Sequence, residues 1–163
     1  MLKFFGGIII VCITTCCGIL FARKYKKRKE FFAQFEEFNA RFLTEISYFK
    51  RPLAEFIYEF RGHGEYGELI EKMVKNKNRG LEEGIAIDLE TIPFLNKEEK
   101  GFLLEYFLTL GKGNSASQKA YYLGKGEEIA RQRKKTEEDA KKYGDLYWKL
   151  GFLLGLAILI LIV

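Results

Sequence analysis

The last 50 residues constrain the fold of this chain more than any other feature, because they have the pattern of one helix that begins in water and ends in a membrane. Residues 114–163 contain no proline, and charged side chains fill the middle of the segment. From Leu150 onward nothing is polar, and Tyr147 and Trp148 stand just before that run, as aromatic residues do at a bilayer surface. At about 1.5 Å per residue the helix would be roughly 70 Å long, too long for a soluble domain of this size to bury. The sequence therefore predicts a helix that links a water-soluble body to a bilayer.

The apolar end of that helix is short for a membrane span. Residues 150–163 are 14 residues, or roughly 21 Å of helix, against a hydrocarbon core of about 30 Å. A span needs a thinner bilayer or a carboxyl terminus near the far headgroups, and the alternative is a half-inserted tail. Because no polar residue interrupts the run, we expect a C-terminal transmembrane helix at 150–163.

Small residues in this helix indicate a packing surface. Gly151 and Gly155 are four residues apart, a spacing that lets another helix approach closely. The first apolar run of the chain also carries small residues four apart, Thr14 and Gly18. We therefore expect the two apolar helices to pack against each other through these positions, with lipid-facing glycines as the alternative.

The chain also opens on an apolar run of transmembrane length. Residues 2–22 contain one charge, Lys3, and six cations follow them: Arg23, Lys24, Lys26, Lys27, Arg28 and Lys29. A signal peptide has its positive charge before the apolar run, so this run is expected to remain as an anchor. Positive residues that flank a span are retained in the cytosol. The sequence thus predicts an N-terminal transmembrane helix at 1–22, a cytosolic helical domain at 23–149 and the C-terminal transmembrane helix.

The net charge of +5 does not indicate nucleic-acid binding. The six cations beside the first apolar run account for it, and the remainder of the chain sums to −1. A block of cations next to a membrane helix is typical of contact with anionic lipid. We therefore expect membrane lipid, and no nucleic acid, as the partner of this basic block.

The residues that could carry catalysis are not arranged for it. The lone histidine, His63, lies between two glycines with no cysteine, serine or carboxylate pair placed around it. Cys12, Cys16 and Cys17 all lie in the first apolar run without zinc-site spacing. A lipoprotein cleavage site at Cys16 is the alternative, but Thr15 precedes it where Gly, Ala or Ser is usual. We expect no enzyme, no metal site and no cofactor.

Helical periodicity organises the rest of the chain. Six apolar residues recur at spacings of three and four and predict a core-facing stripe on a helix that continues out of the first apolar run: Phe31, Phe35, Phe38, Phe42, Ile46 and Phe49. Pro52 suits the start of a second helix. Later helices are indicated by the apolar sets around Tyr66, Ile85 and Tyr106, and Asn96 with Glu99 forms a pair like a capping box.

No segment alternates with a period of two. The fold class is therefore predicted as all-α, an antiparallel bundle of about six helices between N- and C-terminal transmembrane helices. The first and last helices are continuous with the membrane segments and are expected to pair as a stalk.

Four stretches of the chain together resemble one known family. They are the opening MLKFFGGIIIVCITTCCGILFA, EISYFKRPLAE at 45–55, YFLTLGKGNSASQ at 106–118 and AKKYGDLYWKLGFLLGLAILI at 140–160. Their order, spacing and framing by two apolar ends are similar to the stage III sporulation protein AB family of endospore-forming bacteria. The resemblance runs nearly end to end.

The resemblance implies a component of the complex that joins mother cell and forespore, in the outer forespore membrane with its body in the mother-cell cytosol. The family is similar to the cytoplasmic domains of the inner-membrane platform protein of type II secretion and type IV pilus machines. The implied role, required for spore formation, is a non-enzymatic platform that couples a secretion-type ATPase to membrane channel proteins. Self-association is left open.

Four positions match the family at the predicted helix ends. Pro52, Gly111, Asn114 and Gln118 are candidates for partner contact, and each also suits a plain helix start, stop or cap. The alternative to the sporulation platform is a generic membrane-anchored helical scaffold or lipid-surface binding protein.

Overall fold

The structure, a computed structural model, describes residues 2–49, 52–60, 62–75, 81–112 and 114–162. In that part of the chain there are six α-helices and no strand, and a π-helical turn (Glu45–Phe49) extends the first helix. The helices are α1 (Leu2–Thr44), α2 (Leu53–Glu59), α3 (Gly64–Lys75), α4 (Leu81–Glu90), α5 (Lys97–Thr109) and α6 (Ser115–Ile162). The all-α prediction is confirmed.

The chain divides into two compact units. The terminal unit comprises Met1–Lys29 and Lys134–Val163, and the central unit comprises Glu30–Arg133. Helices α1 and α6 therefore contribute residues to both units. The predicted boundaries at residues 22 and 150 concern the bilayer and stay predictions, and the outermost residues of the predicted spans, Met1 and Val163, lie outside the described residues.

An aromatic core fills the central unit. The Phe35 and Tyr106 rings meet edge to face at 4.8 Å and 85°, and so do Phe42 and Tyr122 at 5.0 Å and 84°. Such pairs contribute about 0.5–1.5 kcal/mol beyond the burial of their apolar area. The buried rings are Phe31, Phe32, Phe35, Phe38, Phe42, Phe56, Phe60, Tyr66, Phe94, Tyr106, Phe107 and Tyr122. The core thus receives side chains from α1, from the shorter helices and from α6.

The predicted core stripe on α1 is wrong at its last member. Phe49 is 62% exposed, because the turn that holds it, Glu45–Phe49, is π-helical. A π-helix has more residues per turn than an α-helix, so the seven-residue step from Phe42 no longer returns to the same face. The stripe ends at Ile46, which packs half-buried against the core.

Two capping residues mark the starts of α5 and α6. Asn96 Oδ1 accepts from the Glu99 amide at 2.8 Å, and the Glu99 carboxylate accepts from the Asn96 amide at 2.9 Å, which is a full capping box at the start of α5. Asn114 Oδ1 accepts from the Ser117 amide at 2.8 Å. Asn114 therefore caps α6, and each cap satisfies amides that have no partner inside the helix.

The terminal unit exposes apolar surface. Gly6–Phe49 and Ser115–Leu161 contain windows with mean hydropathies of 2.0 and 1.6, of which only 11% and 6% is buried. A core helix of a soluble protein would be mostly buried, whereas Leu153, Leu154 and Leu161 are 58%, 58% and 86% exposed. Among the described residues, then, two helices have the length and surface needed to cross a membrane, and the protein is membrane-associated.

Candidate interaction surface

A cavity of about 230 Å³ lies in the central unit where the α1–α2 and α5–α6 connections meet. We call it the turn cavity. It is lined by Phe42, Glu45, Ile46, Leu53, Phe56, Gly111, Ser115 and Gln118. Six of these eight residues belong to the segments 45–55 and 106–118, three to each, so the fold brings two separate sequence motifs to one place.

Pro52 precedes α2, the helix that contributes Leu53 and Phe56 to the lining of the turn cavity. It lies just before α2 with φ −56° and ψ 134°, and its carbonyl accepts from the amides of Glu55 and Phe56 at 3.0 and 3.2 Å. Proline suits this position because its fixed φ matches the turn and the start of a helix leaves amides without partners anyway. Pro52 itself is exposed and does not line the cavity.

Gly111 closes α5 and forms part of the cavity wall. Its φ is +77°, in the left-handed region that favours glycine. A Cβ at this position would lie 2.8 Å from Leu53 Cδ2. The backbone conformation therefore favours glycine here, and a side chain would also require the end of the Leu53 side chain to shift.

The first turn of α6 completes the cavity. Gln118 lines it, and its amide donates to the Asn114 carbonyl at 3.0 Å. Asn114 is exposed and acts as the cap. Of the four candidate positions, Gly111 and Gln118 share the turn cavity, while Pro52 and Asn114 each precede a helix that lines it.

Large aromatic side chains are exposed on the same elements. Tyr48 and Phe49 on the π-helical turn are 80% and 62% exposed, and Tyr58 on α2 is 68% exposed. We call these three residues the exposed aromatic set. Aromatic residues are enriched at protein–protein interfaces, where they supply apolar area with few rotatable bonds. These side chains can therefore act as anchors for a protein partner.

A polar network ties α1 to α5 and α6 inside the central unit. The Tyr106 hydroxyl donates to Asn39 Oδ1 at 2.9 Å, and Asn39 Nδ2 donates to the Tyr122 carbonyl at 3.3 Å. Burial raises the pKa of both tyrosines. Gly126 lies here because a Cβ would come within 2.9 Å of Asn39 Nδ2.

A second network lies at the surface between α5 and α6. The Tyr121 hydroxyl donates to Glu105 Oε1 at 2.9 Å, and Lys125 Nζ lies 3.1 Å from the same oxygen. The Tyr121 hydrogen bond, and then Lys125, lower the pKa of Glu105. Lys125 also lies 4.7 Å above the centre of the Phe102 ring, so its position is held from two sides.

In the terminal unit, small residues bring the two apolar helices into backbone contact. A Cβ at Gly151 would lie 2.5 Å from the Thr14 carbonyl oxygen, and one at Gly155 would lie 2.8 Å from Val11 Cα. A Cβ at Gly18 would lie 2.5 Å from the Tyr147 carbonyl oxygen. The structure thus sets Thr14 and Gly18 against the small residues of α6.

Some side chains of the basic block contact carboxylates of α6, and others are exposed to solvent. Arg28 pairs with Asp139 at 3.0 Å, and Lys29 lies 3.9 Å from Glu137. The other four side chains of the block, Arg23, Lys24, Lys26 and Lys27, are exposed. Part of the block therefore holds the two helices together, and Arg23, Lys24 and Lys26 are open to a ligand or a membrane surface.

Comparison with protein families is decisive for the chain as a whole. The family model described as stage III sporulation protein AB matches residues 3–163. The chain belongs to this family. Neither curated proteins nor solved structures give a match. The resemblance seen in the sequence is confirmed, and membership of the stage III sporulation protein AB family implies a role in sporulation.

The histidine and the cysteines of this family member lie in different units, His63 in the central unit and the cysteines in the terminal unit. In the part of the chain that was described, no three His, Cys, Asp or Glu side chains are grouped to hold a metal ion. His63 is exposed, and its amide donates to Gln34 Oε1 at 2.6 Å while its carbonyl accepts from Gln34 Nε2. The backbone of His63 is thus tied to α1. Cys12, Cys16 and Cys17 are exposed on α1 in the terminal unit.

Sequence reasoning missed several residues that matter for this family member. Gln34 and Asn39 are buried polar residues on the apolar face of α1, and their position among core phenylalanines was the available signal that each must have a hydrogen-bond partner. For Tyr48 and Tyr58 the available signal was that both fall between the apolar positions of their helices, which places them on the outer face.

Proposed function

We propose that this protein is a non-enzymatic platform of the channel complex between mother cell and forespore. In this role it couples a cytosolic secretion-type ATPase to membrane channel proteins. Family membership supports sporulation as the setting. The expected similarity of this family to secretion platform proteins is the reason for choosing the ATPase and the channel proteins as partners. Family membership supports the further proposal of a location in the outer forespore membrane, with the central unit in the mother-cell cytosol.

The observation that carries the proposal is the exposed aromatic set, two members of which, Tyr48 and Phe49, lie on the π-helical turn that also lines the turn cavity. Tyr48 and Phe49 follow Glu45 and Ile46 of the cavity wall on one π-helical turn. A π-helical turn is rare and is found often at functional sites. Interfaces of standard size depend on a few such aromatic anchors for most of their binding free energy. We therefore assign the ATPase contact to this end of the central unit.

A platform of this kind needs no reaction of its own. Its residues are used for caps, packing and hydrogen bonds that hold the surface in one shape, as Gly111, Asn114 and Asn39 do. The membrane helices supply the second contact, with channel proteins or a second copy of the chain.

Photo-crosslinking in sporulating cells tests the proposed contact. A photoreactive phenylalanine replaces Tyr48, Tyr58 or Ser115, and as a matched control Leu123, which is 52% exposed on α6. We expect a crosslink to the ATPase from the first three positions and none from Leu123. Recovery of no ATPase from any of the three positions would overturn the assignment of this surface.

A functional variant provides an independent measure. Loss of an aromatic anchor costs about 2 kcal/mol or more in binding, which is on the order of thirtyfold in affinity. The Tyr48→Ala, Tyr58→Ala double variant is therefore expected to lower the yield of heat-resistant spores while its level in the membrane fraction is unchanged. The Leu123→Ala variant is expected to sporulate normally.

A generic membrane-anchored scaffold is the alternative to the proposed coupling of an ATPase to channel proteins. Family membership favours a sporulation role over one unrelated to sporulation. If deletion of the gene abolished spore formation and yet no ATPase contact were found anywhere on the central unit, the protein would be a sporulation scaffold without a coupling function.

A further inference from the structure

A groove of about 440 Å³ lies between α1 and α6 inside the terminal unit. It is lined by Ile19, Ala22, Arg23, Lys26, Lys29, Ala140, Lys141, Gly144 and Trp148. Its floor is made of small residues, Ala22, Ala140 and Gly144, which leave room for a ligand between the helices. Nothing in the proposed ATPase contact uses this groove.

The groove is apolar at one end and basic at the other. Ile19 and Trp148 come from the membrane-proximal parts of the two helices, within or next to the apolar runs. Lys26, Lys29 and Lys141 come from the charged parts that lie farther from those runs. A ligand that matches both ends has an acyl chain joined to an anionic headgroup.

The basic end has more positive charge than its own carboxylates neutralise. Lys29 and Lys141 share Glu137, at 3.9 and 3.3 Å. Within the described residues, no carboxylate pairs with Arg23 or Lys26, although both line the groove. Two cations are therefore available for a phosphate, and an arginine can bind phosphate oxygens through two parallel N–H donors.

We propose that the groove binds one anionic glycerophospholipid, with its phosphate on Arg23 and Lys26 and an acyl chain between Ile19 and Trp148. Basic pockets between membrane helices suit such headgroups. The proposal differs from general attraction of a basic block to a membrane surface, because it requires these two cations together with the apolar floor. It does not depend on the ATPase contact.

Trp148 is the only tryptophan of the chain and lines the groove, so its fluorescence can report binding directly. The full chain in zwitterionic detergent is titrated with phosphatidylglycerol carrying brominated acyl chains, which quench tryptophan on contact. We expect saturable quenching at a lower lipid concentration than with brominated phosphatidylcholine. Equal quenching by the two lipids would overturn the assignment of an anionic ligand.

Matched charge variants separate a site from a surface effect. Arg23→Gln with Lys26→Gln removes two charges from the groove, and Lys24→Gln with Lys27→Gln removes two charges from the same block outside it. We expect on the order of tenfold weaker phosphatidylglycerol binding for the first pair and little change for the second. An equal loss in both pairs would overturn the groove in favour of surface attraction alone.

A variant without a charge change tests the apolar part of the groove. A Cβ at Gly144 would meet nothing within 4 Å, so Gly144→Leu should place its side chain in the groove without disturbing helix packing. We expect this variant to keep its helical circular dichroism and to lose the quenching. Inorganic phosphate added to the parent is expected to leave the quenching intact. Reversal by phosphate alone would show that the site takes a free anion and would overturn the lipid.

Discussion

At the residue scale, two buried tyrosine hydroxyls differ in their surroundings. The Tyr106 hydroxyl donates to Asn39, whereas the Tyr66 hydroxyl is buried with no hydrogen-bond partner among the described residues. A buried polar group without a partner costs about 1–3 kcal/mol. Burial raises the pKa of both tyrosines, so each hydroxyl keeps its proton at neutral pH.

Removing the Tyr66 hydroxyl should therefore stabilise the central unit. We expect Tyr66→Phe to raise the free energy of unfolding by about 1 kcal/mol, and Tyr106→Phe to lower it by about 1–3 kcal/mol because Asn39 loses its donor. Thermal unfolding of the full chain in detergent, followed by circular dichroism, measures both. A loss of stability in Tyr66→Phe equal to that in Tyr106→Phe would contradict the difference in partners.

The lowered pKa of Glu105 makes a pH-dependent contribution to stability. Tyr121 and Lys125 favour the carboxylate, so its folded-state pKa lies below the ordinary value of 4.5. The stabilisation is present above the ordinary value and is lost as the pH falls through the folded-state pKa. Because Glu105 is exposed, solvent and salt screen the effect and keep it small.

Glu105→Gln is therefore expected to lower the melting temperature slightly at neutral pH. The difference from the parent should shrink as the pH falls below the ordinary value of 4.5 and the parent carboxylate takes up a proton. Melting temperatures of the two proteins across this pH range test the sign. Glu68→Gln, at an exposed position on α3, is the matched control, and a difference that grew toward low pH would contradict the predicted direction.

At the scale of elements, periodicity predicted helices well and their faces less well. Apolar spacing indicated the helices of the central unit, and Asn96 with Glu99 marked the start of α5, because both signals are local. The prediction that Phe49 faces the core was wrong because a π-helical turn changes the number of residues per turn, and nothing in residues 45–49 indicates that change. On α6, the buried Tyr122, Ile129 and Thr136 recur every seven residues among charged residues, and apolar periodicity alone does not reveal so sparse a stripe.

The candidate surface was less predictable than the helices. The resemblance marked Gly111 and Gln118, but only the fold shows that they share a cavity with Glu45 and Ile46, some 65 to 75 positions away in the chain. Contacts at that separation depend on how α1, α2 and α6 pack. The free space beside Gly144 likewise depends on which residues of α1 lie opposite it.

The packing of α1 on α6 in the terminal unit should be sensitive to volume. A Cβ at Gly155 would lie 2.5 Å from Thr14 Oγ1 and 2.8 Å from Val11 Cα, so Gly155→Leu must push the helices apart. Overpacking of this kind costs about 1–3 kcal/mol. We expect a lower melting temperature in detergent for Gly155→Leu. Ala157→Leu, at an exposed position on the same helix, should melt like the parent, and equal melting of all three proteins would contradict the close contact.

At the scale of the whole molecule, charge predicts on which side of the membrane the central unit lies. The six cations from Arg23 to Lys29 follow the first apolar run, whose other end carries a single side-chain charge, that of Lys3. Positive flanking residues are retained in the cytosol. If both apolar helices span the bilayer, the two ends of the chain lie together on the far side, and the central unit lies in the cytosol.

Labelling of a single cysteine tests this topology. Lys75, 75% exposed on α3, is changed to cysteine in a chain whose Cys12, Cys16 and Cys17 are changed to alanine. We expect a membrane-impermeant maleimide to leave intact cells unlabelled and to label Cys at this position only after permeabilisation. Changing the six cations to glutamine removes the excess of positive charge that follows the first apolar run and leaves Lys3 at its other end. Part of that population should then be labelled in intact cells. Labelling in intact cells of the variant that keeps all six cations would contradict a cytosolic central unit. It would also contradict any contact between the exposed aromatic set and a cytosolic ATPase.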